Sequence, residues 1–523
     1  MFWSNLLKPE RVRMSSSVKK TESDTRSPFK KDFDTVCNCS GIRRLQDKAQ
    51  VFPLEHDDYA RTRLTHSIEV MSIAESLAMG IRNTVLNYEE YLCPPSASDE
   101  QVDAVEKLID DIPIILKTAA LLHDMGNPPF GHLGEQIISD WFSKNIDRIV
   151  EKDGKYIFSD SGSIPPITNK MSMEQLSDLK NFEGNAQLLR LVTKLSYVVD
   201  DTGMNLSFPV LATFIKYPCQ SAETDPDILS KKKVGYYNSE SDVFQRIESI
   251  LGLNGCRHPL AFLLEAADDI AYLSADIEDA QKKGILPVET LRKYLLDEQK
   301  AKDENKNPLG EDPLIKTVLE GISDYFKQAN QQNYPDVDDY VIHRIRVLIK
   351  GLMINAIQAA FDEQYHAIMA GKCEDELLKV STANRLQKVL RKIEVEKIYY
   401  CSSIVESKTR AFTIINKLLD TYVLAVLNYQ KSEDKDKDTS NNLLYLSLST
   451  NYRFICEKTN ELLEKENLKI SERADNPRNR QKISDNEGTI LYNKLLLVTD
   501  QIAGMTDSRA MSTYNTLTAT NNS

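Results

Sequence analysis

Apolar residues recur at helical spacing along most of the chain. The segment 61–82 predicts an amphipathic helix, because its apolar residues fall at positions 64, 68, 71, 74 and 77. A second apolar run, 111–125, predicts a buried helix that ends at Gly126, a residue type common just beyond helix C-termini. Residues 258–283 predict a third long helix, with Pro259 in its first turn.

The second half of the chain is dominated by amphipathic patterns. Helices are predicted over 313–329, 337–369, 374–398, 402–430 and 443–467. Two charged segments, 298–312 and 431–442, predict solvated loops between them. Strand patterns are few: residues 155–160 (KYIFSD) and 231–238 (KKKVGYYN) could pair as short hairpins. The pattern as a whole predicts a mainly α fold with a few short β-hairpins.

Composition narrows the class of protein. The 523 residues are 41% apolar and 27% charged, as in ordinary globular proteins, and are enough for one large or two ordinary domains. The net charge of −13 disfavours a general nucleic-acid coat. No apolar stretch approaches the roughly 20 residues of a membrane span, and the first residues lack a secretory h-region. The eight cysteines are scattered without a CxxC pair, which predicts reduced thiols in a cytoplasmic protein.

The stretch 120–135, ALLHDMGNPPFGHLGE, concentrates candidate chemistry around a turn rich in glycine and proline. His123 and Asp124 end the apolar run. Adjacent residues on a helix point about 100° apart, so they share a target only near a helix end or around a central ion. For an isolated His-Asp pair, a simpler interpretation is a helix C-terminus, with the histidine near the dipole and the aspartate capping a neighbour.

Two distant residues favour the ion. Asp268 lies among apolar residues, where an unpaired carboxylate would be costly to bury. His66 lies in the middle of the first predicted helix, although a lone histidine there is more often a satisfied core residue. One divalent ion could satisfy both residues together with His123 and Asp124. Mixed nitrogen and oxygen ligands suit Mn, Mg, Fe, Co or Ni better than a thiolate-preferring metal.

Spacing also groups polar residues on two helices. Asp268, Tyr272 and Asp276 follow i, i+4, i+8 spacing, so they line one helix face over about 12 Å. That face would suit a metal-bound phosphate at one end and a sugar hydroxyl at the other, but a solvent-facing polar stripe has the same pattern. His132 and Glu135 are i and i+3, so a carboxylate can orient an imidazole for acid–base chemistry. The alternative for this pair is a capping pattern at a helix N-terminus.

The sequence resembles a known family, the bacterial deoxyguanosine triphosphate triphosphohydrolases, which belong to the HD-domain phosphohydrolases. The resemblance covers nearly the whole chain and rests on motifs in a fixed order. These motifs are FWSNLLKPERVR, RRLQDKAQVFPLE, RTRLTHSIEV, HDMGNPPFGHLGE, FEGNAQLLR, LATFIKYP, EAADDIAYLSADIEDA and VTDQIAGMTD.

The resemblance implies roles for individual residues. The implied metal ligands are His66, His123, Asp124 and Asp268. His132 matches the catalytic histidine, with Glu135 as its partner. The substrate-binding residues implied are Arg63 and Lys216 at the triphosphate, Tyr272 at the sugar-phosphate, Asp276 with Gln50 at the 3′-hydroxyl, and Glu183 and Asn185 near the same pocket.

The resemblance also implies an organisation. It consists of a partly flexible N-terminal segment (1–33), an HD-type catalytic core (34–300), and a helical C-terminal region (301–523) that completes the core and supplies subunit contacts. One divalent metal per subunit, with Mg or Mn preferred, and a homo-oligomer, with a hexamer favoured, are further implications.

The implied reaction is hydrolysis of dGTP, with other deoxynucleoside triphosphates as further candidates, to the deoxynucleoside and tripolyphosphate by attack at the α-phosphorus. The chain has no GxxxxGK[ST] motif, which disfavours a Walker-type NTPase. Two alternatives stay open at this stage. One is an HD-family nucleotidase or phosphodiesterase that acts on another nucleotide. The other is a nucleotide-sensing or single-stranded nucleic-acid-binding protein, for which the basic, aromatic stretch 230–237 gives weak support.

Overall fold

The computed structural model describes residues 1–13, 24–50, 61–196, 202–302, 309–398, 402–430, 440–471 and 477–519. These residues are mainly α-helical, which confirms the predicted fold class. The helices of the first half are α1 Trp3–Leu6, α2 Pro28–Cys37, α3 Ser40–Arg44, α4 Arg63–Asn87, α5 Asp99–Ile109, α6 Ile112–Leu122, α7 Gly131–Asn145, α8 Met173–Lys180, α9 Gly184–Arg190, α10 Phe208–Phe214, α11 Ser241–Leu251 and α12 Pro259–Lys282.

The helices of the second half continue the bundle. They are α13 Val288–Gln299, α14 Pro313–Gln332, α15 Val337–Glu363, α16 Tyr365–Met369, α17 Leu377–Val380, α18 Asn384–Ile393, α19 Ser402–Leu427, α20 Ser440–Leu446, α21 Thr450–Ser471, α22 Pro477–Ala503 and α23 Asp507–Ala519. The predicted loops 298–312 and 431–442 fall partly or largely outside the described residues.

The centre of the fold is α12. It packs against α4 on one side and α15 on another, and α4 in turn packs against α6. Leu77, Leu116 and Ile270, which lie on α4, α6 and α12, are fully buried. The local sequence explains where two of the helices begin: Thr62 caps α4 through a capping box with Thr65, and Pro259 occupies the first position of α12. The three long helices predicted in the first half are therefore confirmed.

Three predicted helices of the second half are broken in the structure. The segment 337–369 is divided at Gln364 into α15 and α16. The segment 374–398 forms α17, α18 and a π-helical turn at Glu394–Ile398. Ser381 makes the first break in this segment, because its backbone is extended and its hydroxyl accepts a hydrogen bond from the N–H of Ala383 at 3.1 Å. The segment 443–467 is split between α20 and α21, where the N–H of Ser449 donates to Gln501 Oε1 at 2.9 Å.

The described residues form one two-stranded antiparallel sheet, β1 Ile149–Lys152 with β2 Lys155–Phe158. The tight turn between the strands needs two residues with positive φ, which Asp153 and Gly154 provide. The predicted pairing with 231–238 is wrong. Tyr236 and Tyr237 are both buried, so the stretch does not alternate between faces as a strand would.

The first residues are part of the packed structure. Trp3 is fully buried and its indole Nε1 donates to the hydroxyl of Tyr365 at 2.7 Å. Helix α2 runs through position 33, where the N-terminal segment was predicted to end. Residues 14–23 of that segment lie outside the described residues. Within the described parts of the chain, no helix is long and apolar enough to cross a membrane.

Candidate active site

A cavity of about 840 Å³ lies where α4, α7, α9, α12 and α19 meet. Most of the site residues predicted from the sequence line it: Gln50, Arg63, His66, His123, Asp124, His132, Glu183, Asn185, Lys216, Asp268 and Tyr272. Glu135 lies buried behind His132, and Asp276 lies outside the lining. The fold thus gathers segments that are more than 200 residues apart in the chain around one space.

A cluster of two imidazoles and a carboxylate forms the floor of the cavity. The ligand atoms of His66, His123 and Asp268 all lie within 4.8 Å of one another. His66 Nε2 is 3.0 Å from Asp268 Oδ1, and His123 Nε2 is 3.4 Å from the same oxygen. The two histidines are nearly fully buried, so their orientation is set by packing rather than by solvent.

The proton positions in this cluster favour a cation. His123 Nδ1 lies 2.7 Å from the carbonyl oxygen of Ala120, and a carbonyl can only accept, so Nδ1 carries the proton. The Nε2 lone pair of the neutral ring then faces two carboxylates, those of Asp268 and Asp124. Although burial opposes it, these carboxylates raise the pKa of His123, so positive charge at Nε2, from a proton or from a bound cation, is stabilised there. A buried lone pair opposed by negative charge is the arrangement that a divalent ion satisfies, with the Nδ1–H bond orienting the ligand.

Asp124 lies beside the cluster and is held by two donors. Its Oδ2 accepts from Arg63 Nη1 at 2.9 Å, and its Oδ1 accepts from Asn127 Nδ2 at 2.6 Å. The same Oδ1 is 3.6 Å from His123 Nε2, close enough for a shared ion, because each carboxylate oxygen has two lone pairs. Burial opposes ionisation of this carboxyl, but Arg63 lowers the pKa of Asp124 to about 2. Asp124 is therefore a fixed negative charge at the cavity wall.

His132 and Glu135 form the second polar pair. His132 Nδ1 is 2.8 Å from Glu135 Oε2, and the other Glu135 oxygen accepts from the N–H of Gly184 at 3.0 Å. Although burial opposes it, His132 lowers the pKa of Glu135, and the negative charge of Glu135 raises the pKa of His132. The side chain of His132 is 77% exposed, so its Nε2 is available to molecules in the cavity.

The turn between these two groups is built by close packing. Gly126 was predicted to be the residue just beyond the C-terminus of the helix over 111–125, and this interpretation is wrong. Helix α6 ends at Leu122, and Gly126 does not have a positive φ. Glycine is needed there because a Cβ would lie 2.0 Å from the carbonyl oxygen of Gly184. The left-handed residues are Phe130, immediately before α7, and Gly131, its first residue.

Lys216 lies beside the cluster formed by His66, His123 and Asp268. Its Nζ donates to Asp268 Oδ2 at 2.9 Å, so the two oxygens of that carboxylate face different partners. Burial opposes protonation of this amine, but Asp268 raises the pKa of Lys216, which is therefore a fixed positive charge. Tyr272 lies one turn beyond Asp268 on α12 and also lines the cavity.

The sequence of this chain is similar to those of several known proteins. The HD domain family matches residues 63–179, which include His66 and the His123–Asp124 pair. A deoxyguanosinetriphosphate triphosphohydrolase-like protein of Listeria innocua is 36% identical over 518 residues, 99% of each chain. The chain belongs to the deoxyguanosinetriphosphate triphosphohydrolase family. A probable deoxyguanosinetriphosphate triphosphohydrolase of Pseudomonas aeruginosa is 31% identical over 400 residues, 75% of each chain. The deoxyguanosinetriphosphate triphosphohydrolase of Yersinia enterocolitica is 29% identical over 521 residues, 94% of each chain.

In this member of the deoxyguanosinetriphosphate triphosphohydrolase family, Asp276 is buried and lies outside the cavity lining. It is 2% exposed, and both its carboxylate oxygens lack a hydrogen-bond partner within the described part of the chain. Burial raises the pKa of Asp276 well above its usual range. The alternative of a solvent-facing stripe therefore does not hold for Asp276. Gln50, its expected partner, lines the cavity, and its Oε1 is buried without a partner among the described residues.

The far wall of the cavity contains basic residues that the sequence patterns did not assign. Lys233 Nζ is 3.4 Å from Glu183 Oε1, and Lys232 Nζ is 3.2 Å from Glu376 Oε1. Arg391 on α18 lines the same cavity. The signal for the two lysines was the basic, aromatic stretch 230–237, which the sequence analysis linked only weakly to nucleic-acid binding. Arg391 has no local signal, because only the tertiary fold brings α18 to this wall.

Proposed function

We propose that this chain hydrolyses dGTP to deoxyguanosine and inorganic tripolyphosphate by attack of water at the α-phosphorus, with other deoxynucleoside triphosphates as further candidate substrates. The observation that carries the proposal is the similarity to deoxyguanosinetriphosphate triphosphohydrolases and their relatives over nearly the full length. The cavity adds chemical support, since it combines a carboxylate–imidazole pair, a cluster suited to a cation, and fixed positive charges.

The proposed metal ligands are His66, His123, Asp124 and Asp268, which would hold one divalent ion, Mg²⁺ or Mn²⁺. Support comes from the lone pair of His123 that faces two carboxylates and from the mixed nitrogen and oxygen donor set. Such an ion supplies Lewis-acid stabilisation of charge on a phosphoryl group when it is bound.

His132 is the proposed proton-transfer group. With its Nδ1–H directed at Glu135, its Nε2 can exchange a proton with water or with the 5′-oxygen of the leaving nucleoside. Glu135 would keep the ring in one tautomer and one orientation, because its second oxygen is itself held by the N–H of Gly184. Three aligned groups of this kind, an imidazole, a carboxylate and a backbone donor, suit acid–base catalysis better than a capping role.

Positive charge would hold the triphosphate. Lys216 and Arg63 are proposed for this role, since both line the cavity together with His66, His123 and Asp268. Each already faces a carboxylate, which orients it before substrate arrives. Glu183 and Asn185, whose side chains are joined by a 2.8 Å hydrogen bond, are proposed to border the same pocket.

Recognition of deoxyribose is proposed to involve Tyr272, with Gln50 and Asp276 at the 3′-hydroxyl. The Tyr272 ring would exclude a 2′-hydroxyl by contact with C2′. We expect Tyr272→Ala to narrow the preference for dGTP over GTP, measured as the ratio of kcat/KM values for the two nucleotides. Unchanged discrimination would rule out this role. The position of Tyr272 on the cavity wall, one turn from Asp268, supports it.

Product analysis tests the proposal as a whole. The purified protein is incubated with each common dNTP and with GTP, in Mg²⁺ or Mn²⁺, and products are separated by anion-exchange chromatography. We expect tripolyphosphate and deoxyguanosine from dGTP, and loss of both with His123→Ala. A nucleoside monophosphate with diphosphate would place the broken bond between the α- and β-phosphates and favour another HD-family nucleotidase. No product from any nucleotide would contradict the enzymatic proposal and favour a sensor.

Assembly and location complete the proposal. We propose a cytoplasmic homo-oligomer, with a hexamer preferred, and the family resemblance is the support for both. Light scattering coupled to size-exclusion chromatography measures the mass of the assembly directly. A monomer at micromolar concentration would contradict the proposed oligomer without affecting the proposed chemistry.

A further inference from the structure

The carboxylate of Asp507, close to the C-terminus, joins two backbone segments of the cavity. Its Oδ1 accepts from the N–H of Phe130 at 3.0 Å, and its Oδ2 accepts from the N–H of Ala49 at 2.9 Å. Asp507 is 3% exposed, so these bonds are shielded from water. A buried carboxylate with two backbone donors is a strong, directional link, because each bond is charge-assisted. Asp507 begins α23 and is the last residue of the stretch VTDQIAGMTD.

The first of these segments sets the start of α7. Phe130 has φ 64° and ψ 16°, the left-handed region, and immediately precedes the helix that carries His132 and Glu135. A side chain other than glycine costs about 1–2 kcal/mol in that conformation, so the surroundings must hold it. The bond from Asp507 acts on the strained residue itself, two positions before His132. The direction in which α7 leaves the turn therefore depends on this carboxylate.

The second segment sets the start of α4. Ala49 forms an isolated antiparallel bridge with Thr62, and the N–H of Arg63 donates to the carbonyl of Lys48 at 2.8 Å. Thr62 is the N-cap of α4, which carries Arg63 and His66. By holding Ala49, Asp507 fixes the start of this helix relative to the start of α7. Gly131 lies so close to Arg63 that a Cβ there would be 2.3 Å from Nη2, so the first turns of the two helices are in direct contact.

Two further side chains, Lys48 and Arg190, link the same C-terminal stretch to the turn and to α9. Lys48 Nζ donates to the carbonyl oxygens of Asn127 and Ala503, at 2.5 and 2.8 Å. Asp500 accepts from Arg190 Nη2 at 2.7 Å on α9, the helix whose first N–H holds Glu135. The segments around the His132–Glu135 pair are thus bonded to residues 500–507, and Asp507 is the member that contacts the strained turn.

We propose that Asp507 is a positioning residue for the His132–Glu135 pair, which it holds in place through Phe130 and Ala49. This inference rests on the proposed hydrolysis, and it extends that site to a segment more than 370 residues away in sequence. Asp507 does not line the cavity, so it acts only through the backbone it holds.

The test compares Asp507→Ala and Asp507→Asn with a matched control, Ser508→Ala. Ser508 is the next residue, and its hydroxyl donates to the exposed Asp47 at 2.8 Å without reaching the cavity. Asparagine keeps the shape of Asp507 but can accept only one of the two N–H bonds, since its NH₂ group would face the other donor. We measure kcat and KM for dGTP, the thermal unfolding midpoint, and amide hydrogen exchange in peptides covering 128–136 and 47–50.

We expect faster exchange confined to those peptides and a kcat about 10- to 100-fold lower for Asp507→Ala, with a smaller change in KM, because small misplacements cost turnover steeply. Asp507→Asn should be intermediate, and Ser508→Ala should match the wild type. If the alanine variant does not fold, the asparagine variant alone decides.

Three outcomes would overturn the inference: unchanged local exchange, faster local exchange with kcat equal to that of Ser508→Ala, or faster exchange throughout the chain with a lowered midpoint. Failure of the wild type to release tripolyphosphate would instead refute the proposed function, and the exchange data would still test whether Asp507 holds the turn.

Discussion

Acidification should destabilise this fold through one buried histidine. His258 is 1% exposed and is the N-cap residue of α12, the central helix. Its Nδ1 accepts from the N–H of Leu260 at 3.2 Å, so its proton is on Nε2, which donates to the carbonyl of Leu6 at 3.2 Å. Protonation of Nδ1 would remove the cap and place a buried positive charge at the positive end of the helix dipole. Burial accordingly lowers the pKa of His258 to about 4.

The size of the effect follows from the two pKa values. Histidine in the unfolded chain has a pKa of about 6.5, so between about pH 6.5 and 4 the unfolded state binds the extra proton. The contribution of the neutral His258 to the free energy of unfolding is therefore fully present above about pH 6.5. It is lost progressively as the pH falls towards about 4. The full loss is about 3 kcal/mol, of which about 2 kcal/mol develops between pH 7 and pH 5.

The assay is chemical unfolding of the wild type and of His258→Asn at pH 7 and at pH 5. Asparagine caps helices well and does not titrate, whereas every other buried acid titrates equally in both proteins. The variant should lose about 2 kcal/mol less stability than the wild type on acidification, whatever its stability at pH 7. Equal losses in the two proteins would refute the reasoning, because they would show that His258 is not kept neutral by the fold.

Three other predictions concern the site. Glu135→Gln removes the negative charge that raises the pKa of His132. The kinetic pKa in the pH–rate profile should therefore move to lower pH, and kcat should fall about 100-fold or more. An unshifted pH–rate profile would contradict this. His123→Ala should weaken Mn²⁺ binding measured by calorimetry, and unchanged affinity would exclude this ligand. Gly126→Ala should lower the free energy of unfolding by about 1–3 kcal/mol, because the new Cβ would clash with the carbonyl oxygen of Gly184. An unchanged melting temperature would argue against that contact.

Local signals were sufficient for the helices that carry the site. The apolar period of α4, the capping residue Thr62 and the proline at the start of α12 all lie within a few residues of the feature they determine. The same reasoning was wrong where a distant contact decided the structure. The segment 231–238 has strand-like composition, yet the N–H of Gly235 donates to the carbonyl of Cys219 at 3.0 Å, and both following tyrosines are buried.

In the candidate site, too, some features follow from the local sequence and others depend on distant contacts. His132 and Glu135 could be paired from their spacing, because side chains three residues apart on a helix are neighbours. Gly126 could be recognised as part of a turn, but its purpose depends on the approach of α9, which no local pattern reveals. Asp507 carries no local signal, since an aspartate at the start of a helix is common and its two partners are far away in sequence.

The contacts of α12 bear on the predicted division of the chain near residue 300. This helix carries Asp268, yet it packs on α4 from the N-terminal part and on α15 from the C-terminal part. The HD match, 63–179, contains neither Asp268, which belongs to the cluster at the cavity floor, nor Lys216, which donates a hydrogen bond to it. Because the segments that meet at the cavity are hydrogen-bonded to residues 500–507 as well, the floor and the acid–base pair depend on both ends of the chain. A fragment ending near residue 300 would retain every proposed metal ligand but would lose Asp507 and the packing of α15 on α12.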